Sequence, residues 1–165
     1  MKNIGKSIAL AAAVTALLLA AVTACDSGYD CSIENTAYNR IGFYNAEDGT
    51  DAKYEFPDML DVSMMINGRD SIVVNRITYA SELQLPMSFT NECDTVIFSY
   101  GYNVTDTLFV KHDNIPYFVS MECGTAMYHR ITEITHTTAF IDSVVIVNDY
   151  INYDYNENVK LYLAK

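Results

Sequence analysis

From Ile41 onward, apolar side chains recur at every second position in run after run, and no long stretch carries a clean helical period. Ile41 and Phe43 alternate with Gly42 and Tyr44; Leu60, Val62, Met64 and Ile66 alternate with Asp61, Ser63, Met65 and Asn67. Leu83, Leu85, Met87 and Phe89 alternate with Gln84, Pro86 and Ser88. Further sets are Val96, Phe98 and Tyr100; Leu108 and Val110; Ile115, Tyr117, Val119 and Met121; and finally Val159, Leu161 and Leu163. Successive side chains of a strand point to opposite faces, so this period gives each segment one face for a core and one for solvent. A helix would scatter the same residues around its axis. The chain is therefore expected to be all-β.

Punctuation between the runs supports that expectation. Asn67-Gly68 separates two apolar runs, and both residues tolerate the positive φ of a tight hairpin turn. Asp70-Ser71, Asp94-Thr95, Asp106-Thr107 and Asp142-Ser143 open strands with short polar side chains that can bond nearby backbone as the chain leaves a turn. Pro86 lies inside an alternating run and cannot donate to a ladder, which puts that strand at an edge or a bulge. Short strands at even spacing with no helices between them predict an antiparallel β-sandwich of roughly eight to nine strands, with an eight-stranded barrel as the alternative.

The N-terminus has a different composition. Lys2 and Lys6 precede an uncharged run of Ala, Leu and Val from Ile8 to Val22, which ends in Val22-Thr23-Ala24-Cys25. A basic start, an apolar middle and small residues before a cut make a secretory signal over residues 1–24. The run is shorter than the roughly 20 residues a membrane span needs. Val22 to Cys25 resembles a bacterial lipobox, in which cleavage leaves Cys25 carrying the lipid. Residues 25–36 then form a polar tether to a domain over 37–165. Several acyl chains, each buried methylene contributing roughly 0.8 kcal/mol, hold a chain on a membrane without spanning it.

Charge narrows the partners. The net charge is −11, and removing the leader takes away Lys2 and Lys6 but no acid. Such a body is repelled by nucleic acid and by anionic headgroups. It contains no nucleophile elbow, phosphate loop or paired-His metal motif, so no catalytic residue, cofactor or metal is expected. His112, His129 and His136 are read as surface or strand-end residues. Asn45 to Asp51 superficially suggests a calcium loop but lacks the alternating acids and distant Glu of an EF-hand, and is read as a turn.

Besides Cys25 there are Cys31, Cys93 and Cys123, none at zinc-ligand spacing. Export implies a compartment where a disulfide persists, and three thiols allow three pairings. The segment 149–158, dense in Tyr, Asn and Asp, is the candidate binding surface, with Tyr150, Tyr153, Asp154 and Tyr155 as its contact residues. Tyrosine offers a flat apolar face with a polar tip, suited to protein or sugar recognition. The lack of Trp weakens the glycan case. The opposing reading has these rings packed back on the sandwich.

The order of short motifs is also familiar: Cys31, Asn35-Thr36, Gly42-Phe43-Tyr44-Asn45, Asp48-Gly49-Thr50, Asp70-Ser71-Ile72, Leu85-Pro86-Met87-Ser88, Asp94-Thr95, Asp106-Thr107-Leu108, Glu122-Cys123-Gly124, Ile141-Asp142-Ser143-Val144 and Glu157 to Tyr162. Over nearly the whole mature chain this resembles a Bacteroidota lipoprotein family catalogued as a domain of unknown function, DUF6452. The resemblance implies an envelope lipoprotein, favours a Cys31–Cys123 bridge and implies no activity. The function expected is a non-enzymatic, lipid-anchored module on the outer membrane. It would act as an accessory or binding module for another envelope protein, with a functional link to an outer-membrane β-barrel protein expected; the alternative is a glycan-binding surface lipoprotein.

Overall fold

Two hydrogen-bonded sheets account for the alternation. The computed structural model describes residues 37–47, 53–55, 59–66, 69–101, 104–121 and 123–164. They contain ten strands and no helix: β1 (Tyr38–Asn45), β2 (Leu60–Ile66), β3 (Arg69–Ile77), β4 (Glu82–Pro86), β5 (Cys93–Tyr100), β6 (Val104–Ser120), β7 (Gly124–His136), β8 (Ile141–Ile146), β9 (Tyr150–Ile151) and β10 (Val159–Leu163). One sheet runs β4-β1-β10-β8 and the other β3-β2-β5-β6-β7-β9. Both sheets have free edges, so the fold is a sandwich and not a closed barrel.

The inward residues of both sheets form one core. Ile41, Phe43, Leu83, Leu85, Ile141, Val159, Leu161 and Leu163 come from the smaller sheet. Leu60, Val62, Met64, Val96, Phe98, Tyr100, Leu108, Val110, Ile131 and Ile151 come from the larger. The alternating pattern is cleanest in β5, where every second residue from Asp94 to Tyr100 is buried.

Three expectations need adjustment. The sandwich has ten strands among the described residues, and one pair is parallel: β1 lies beside β10, with Ile41 opposite Val159 and Asn45 opposite Leu163. Ile115, Tyr117, Val119 and Met121 do not form a separate core strand; the first three continue β6, Met121 lies in the turn after it, and Tyr117 and Met121 are exposed. A register shift between Lys111 and His112 lies just before them. β5 also ends there, with Cys93 opposite Lys111, so beyond that point β7 is the one strand paired with β6 among the described residues. The hairpin thus outruns the sheet that carries it.

Other expectations hold. β4 is an edge strand and Pro86 is its last residue, where a missing N–H costs no ladder bond. Ile66 pairs with Arg69, the register of a two-residue hairpin loop. Gly42 in β1 lies at a close approach: a Cβ there would overlap the Glu157 carboxylate and stand 2.9 Å from Tyr44 Cε2, so those side chains would have to shift. Glu157 is held in that place by the Tyr44 hydroxyl, which donates to Oε1 at 2.9 Å, and by Lys53 Nζ at 3.7 Å from Oε2.

Candidate functional site

The segment 149–158 follows from β8 and returns to β10, and its first residues join the larger sheet as β9, with Tyr150 opposite Arg130 and Ile151 opposite His129. That pairing puts Tyr150 on the outer face of β7, where Tyr128 and Arg130 also lie. Tyr128 is the centre of a ring cluster. Tyr117 stacks on it at 4.8 Å, 16° from parallel, while Tyr153 and Tyr150 meet it edge-on at 5.1 and 5.9 Å. Offset stacks and edge-to-face contacts of this kind contribute roughly 0.5–1.5 kcal/mol each beyond buried area.

The four candidate residues therefore divide. Tyr150 and Tyr153 are half-buried and pack on the sheet, and the Tyr153 hydroxyl is buried with no hydrogen-bond partner among the described residues. Burial raises the Tyr153 phenol above its ordinary value. Tyr155 is 87% exposed, with the Arg40 guanidinium 4.4 Å from its ring centre. Asp154 is exposed and accepts from Asn152 Nδ2 at 3.0 Å, while its own N–H donates to Asn152 Oδ1. Asn158 anchors the segment from below: its amide donates to the carbonyls of Asn148 and Tyr150, and its Oδ1 accepts from Arg40 N–H. The result is an aromatic face packed on the sheet, with one projecting ring.

Tyr117 and Tyr128 were absent from the sequence-derived site. They sit 11 residues apart in sequence and become neighbours only through the β6–β7 register, which sets Tyr117 opposite Ala126 and Ile115 opposite Tyr128. The turn end of the same hairpin, at Phe118 and Met121, is exposed as well.

The histidines correct a second expectation. His112 and His129 are fully buried rather than on the surface, and only His136 is a partly exposed strand-end residue. Their rings meet edge-on at 5.2 Å. His129 Nδ1 lies 2.8 Å from Asn114 Oδ1, and Phe89 stacks over the same imidazole at 6.1 Å. His112 Nε2 is 3.2 Å from Asp94 Oδ2, close but not aligned to donate a hydrogen bond. Burial first, and the neighbouring His112 second, push His129 down to about 4, against a small opposing pull from Asp94. At neutral pH His129 is a neutral side chain held inside the sandwich. Among the described residues no group of three or more His, Cys, Asp and Glu is arranged to hold a metal ion.

Cys93 is free and exposed, whereas Cys123, at the β6–β7 turn, is disulfide-bonded. Cys25, Cys31 and the leader lie outside the described residues, as does most of the segment from Asn45 to Asp51. At its start Glu47 N–H donates to Asn45 Oδ1 at 2.9 Å, a turn contact.

A family model described as a family of unknown function, DUF6452, matches residues 60–163. The match takes in β2 through β10, and so includes the aromatic face and the buried histidines. No curated protein and no solved structure was found to match the chain.

Proposed function

The chain belongs to the DUF6452 family, whose function is unknown, and on that premise we propose that it is a non-enzymatic outer-membrane lipoprotein serving as an accessory or binding module for another envelope protein. The anchor in this reading is Cys25, supported by the apolar leader and the small residues before it. The bridge is Cys31–Cys123, which would tie the tether to the β6–β7 turn.

The observation that carries the reading is the aromatic face built from Tyr117, Tyr128, Tyr150 and Tyr153, with Tyr155 projecting beside it. Tyrosine is enriched in protein interfaces because it brings a large contact area with few torsions to freeze. His112 N–H still donates to the Glu92 carbonyl and the Asn114 side-chain amide to that of Asn91, but beyond Asn114 the edge of β6 that faces away from β7 is paired with no strand among the described residues, which suits addition of a strand from a partner. A glycan ligand is the second reading, favoured by the exposed ring of Tyr155 beside Asp154 and Asn152.

The test is capture of partners from native membranes by the intact lipoprotein, with mass spectrometry and a glycan array run in parallel. Tyr155→Ser should weaken capture without changing the melting temperature. Tyr150→Ser and Tyr153→Ser should weaken capture and also cost stability, because both rings pack on Tyr128. Capture unaffected by all three substitutions would refute this face. An array signal lost with Tyr155, without any captured protein, would select the glycan reading.

A further inference from the structure

A cavity of about 280 Å³ opens between β2 and the chain that leaves β4, lined by Met64, Met65, Met87 and Phe89 around the carboxyl of Asp94. It is separate from the tyrosine face. We propose that it is a binding site for a small amphipathic cation, an amine with an apolar body whose charged head meets Asp94.

Size and wall chemistry set the ligand class. About 150 Å³ is enough for a benzene ring, so this space takes a fragment somewhat larger than that. Thioethers and an aromatic ring make a polarisable, adaptable wall, and both are favourable neighbours for a cation. Pro86 completes the apolar lining, and Ser88 and Thr90 are the other polar residues on it.

Asp94 gives the site its sign. It is 2% exposed and, among the described residues, the only ionisable side chain in the lining. Oδ2 accepts from Ser88 N–H at 2.9 Å, which fixes the carboxyl plane against the loop that forms the cavity wall. A buried carboxyl is costly unless it is paired and hydrogen-bonded. The described residues supply only part of that compensation: one backbone N–H, and His112 Nε2 at 3.2 Å in a misaligned approach. His129, next along, is neutral and hydrogen-bonded to Asn114. An ammonium head in the cavity would complete the set of donors around Asp94, whereas an anionic head would meet a carboxyl and lose its water as well.

The rim is accessible. Met65 and Phe89 are 40% and 48% exposed, so a ligand can enter past them without unfolding the core. Their exposure also makes them safe sites for substitution, whereas Asp94→Asn alters a buried group and could disturb the fold.

The experiment titrates the full chain with three probes of matched shape, 3-phenylpropylamine, 3-phenylpropanol and 3-phenylpropionate, followed by saturation-transfer NMR and thermal shift. The amine is expected to bind saturably, the alcohol at least tenfold more weakly, and the carboxylate not detectably. Met65→Lys, which places a cation at the mouth, should weaken the amine at least tenfold while leaving the circular dichroism spectrum unchanged. Absence of saturable amine binding would overturn the proposal. So would equal binding of amine and alcohol, or amine binding that Met65→Lys leaves intact.

Discussion

Asp106 offers the sharpest test of how this sandwich is held together. It lies on the inner face of β6, fully buried, and its two oxygens receive four hydrogen bonds from the connection before β8 and that strand's first residue. Oδ1 accepts from the Thr137 hydroxyl at 2.6 Å and Ala139 N–H at 2.8 Å; Oδ2 accepts from Phe140 N–H at 2.6 Å and Ile141 N–H at 2.9 Å. In Asp106→Ala the donors on exposed Thr137 and Ala139 can turn to water. Those of half-buried Phe140 and buried Ile141 cannot do so freely, and each stranded donor costs roughly 1–3 kcal/mol. The expected loss is about 3 kcal/mol, a large share of the roughly 5–15 kcal/mol of a typical domain. Asp106→Asn keeps the volume but turns an N–H₂ toward one pair of donors, so it should lose about 2 kcal/mol by the same reasoning.

The pH dependence gives a second handle on the same residue. Burial pushes Asp106 up, but the Thr137, Ala139, Ile141 and Phe140 bonds together hold it below its ordinary value. A carboxyl whose folded pKa is depressed contributes stability above its unfolded value of about 4 and loses it as pH falls through the folded value. Urea melts followed by circular dichroism should therefore show the gap between the native chain and Asp106→Asn narrowing below about pH 4. An Asp106→Ala variant within 1 kcal/mol of the native chain, or a gap indifferent to pH, would show that these bonds do not stabilise the fold as argued.

Three further outcomes are expected. His129, held neutral with a folded value of about 4 against about 6.5 unfolded, makes stability fall as pH drops from 6.5 toward 4, by on the order of 3 kcal/mol at most; His129→Gln should flatten that slope in urea melts, and an unchanged slope would contradict the assignment. Gly42→Ala should cost about 1–3 kcal/mol by overpacking against Glu157, and in a Glu157→Ala background it should cost much less, a coupling readable in a double-mutant cycle. Non-reducing peptide mapping should recover Cys123 linked to Cys31 with Cys93 free; Cys123 linked to Cys25 would overturn both the pairing and the lipid site.

The sandwich was legible because period two is a local property. β2, β5 and β10 stand where Leu60 to Ile66, Val96 to Tyr100 and Val159 to Leu163 place them, and Pro86 marks an edge. What sequence could not supply was partnership over distance. Asp94 and Asp106 carry the same Asp-Thr signature as a turn residue, yet Asp106 bonds backbone 33 to 35 residues away. The histidines look like strand-end polar residues, but the alternation of Leu108 and Val110 carries His112 inward, and the register shift at Lys111/His112 changes which residues of β7 face in, so that Ile131 and His129 lie beside it. The tyrosine segment was visible from composition, but its scaffold, Tyr117 and Tyr128, depends on a hairpin register that alternation alone does not fix. The cavity around Asp94 depends on tertiary packing between β2 and the residues after β4, and no local pattern announces it.

The parallel pairing of β1 with β10 has a mechanical consequence. Five residue pairs, from Ile41–Val159 to Asn45–Leu163, join strands that run in the same direction near opposite ends of the described chain. A pull directed backward from the start of β1 and forward from the end of β10 slides the two strands along each other. Every backbone bond of the pair then bears the load together, whereas a hairpin pulled at its open end yields one bond at a time. The rate of forced unfolding follows the barrier that must be crossed and not the equilibrium stability. A domain held by its first strand and drawn by its last would thus resist tension more than its thermal stability suggests, with the β1–β10 seam as its clasp.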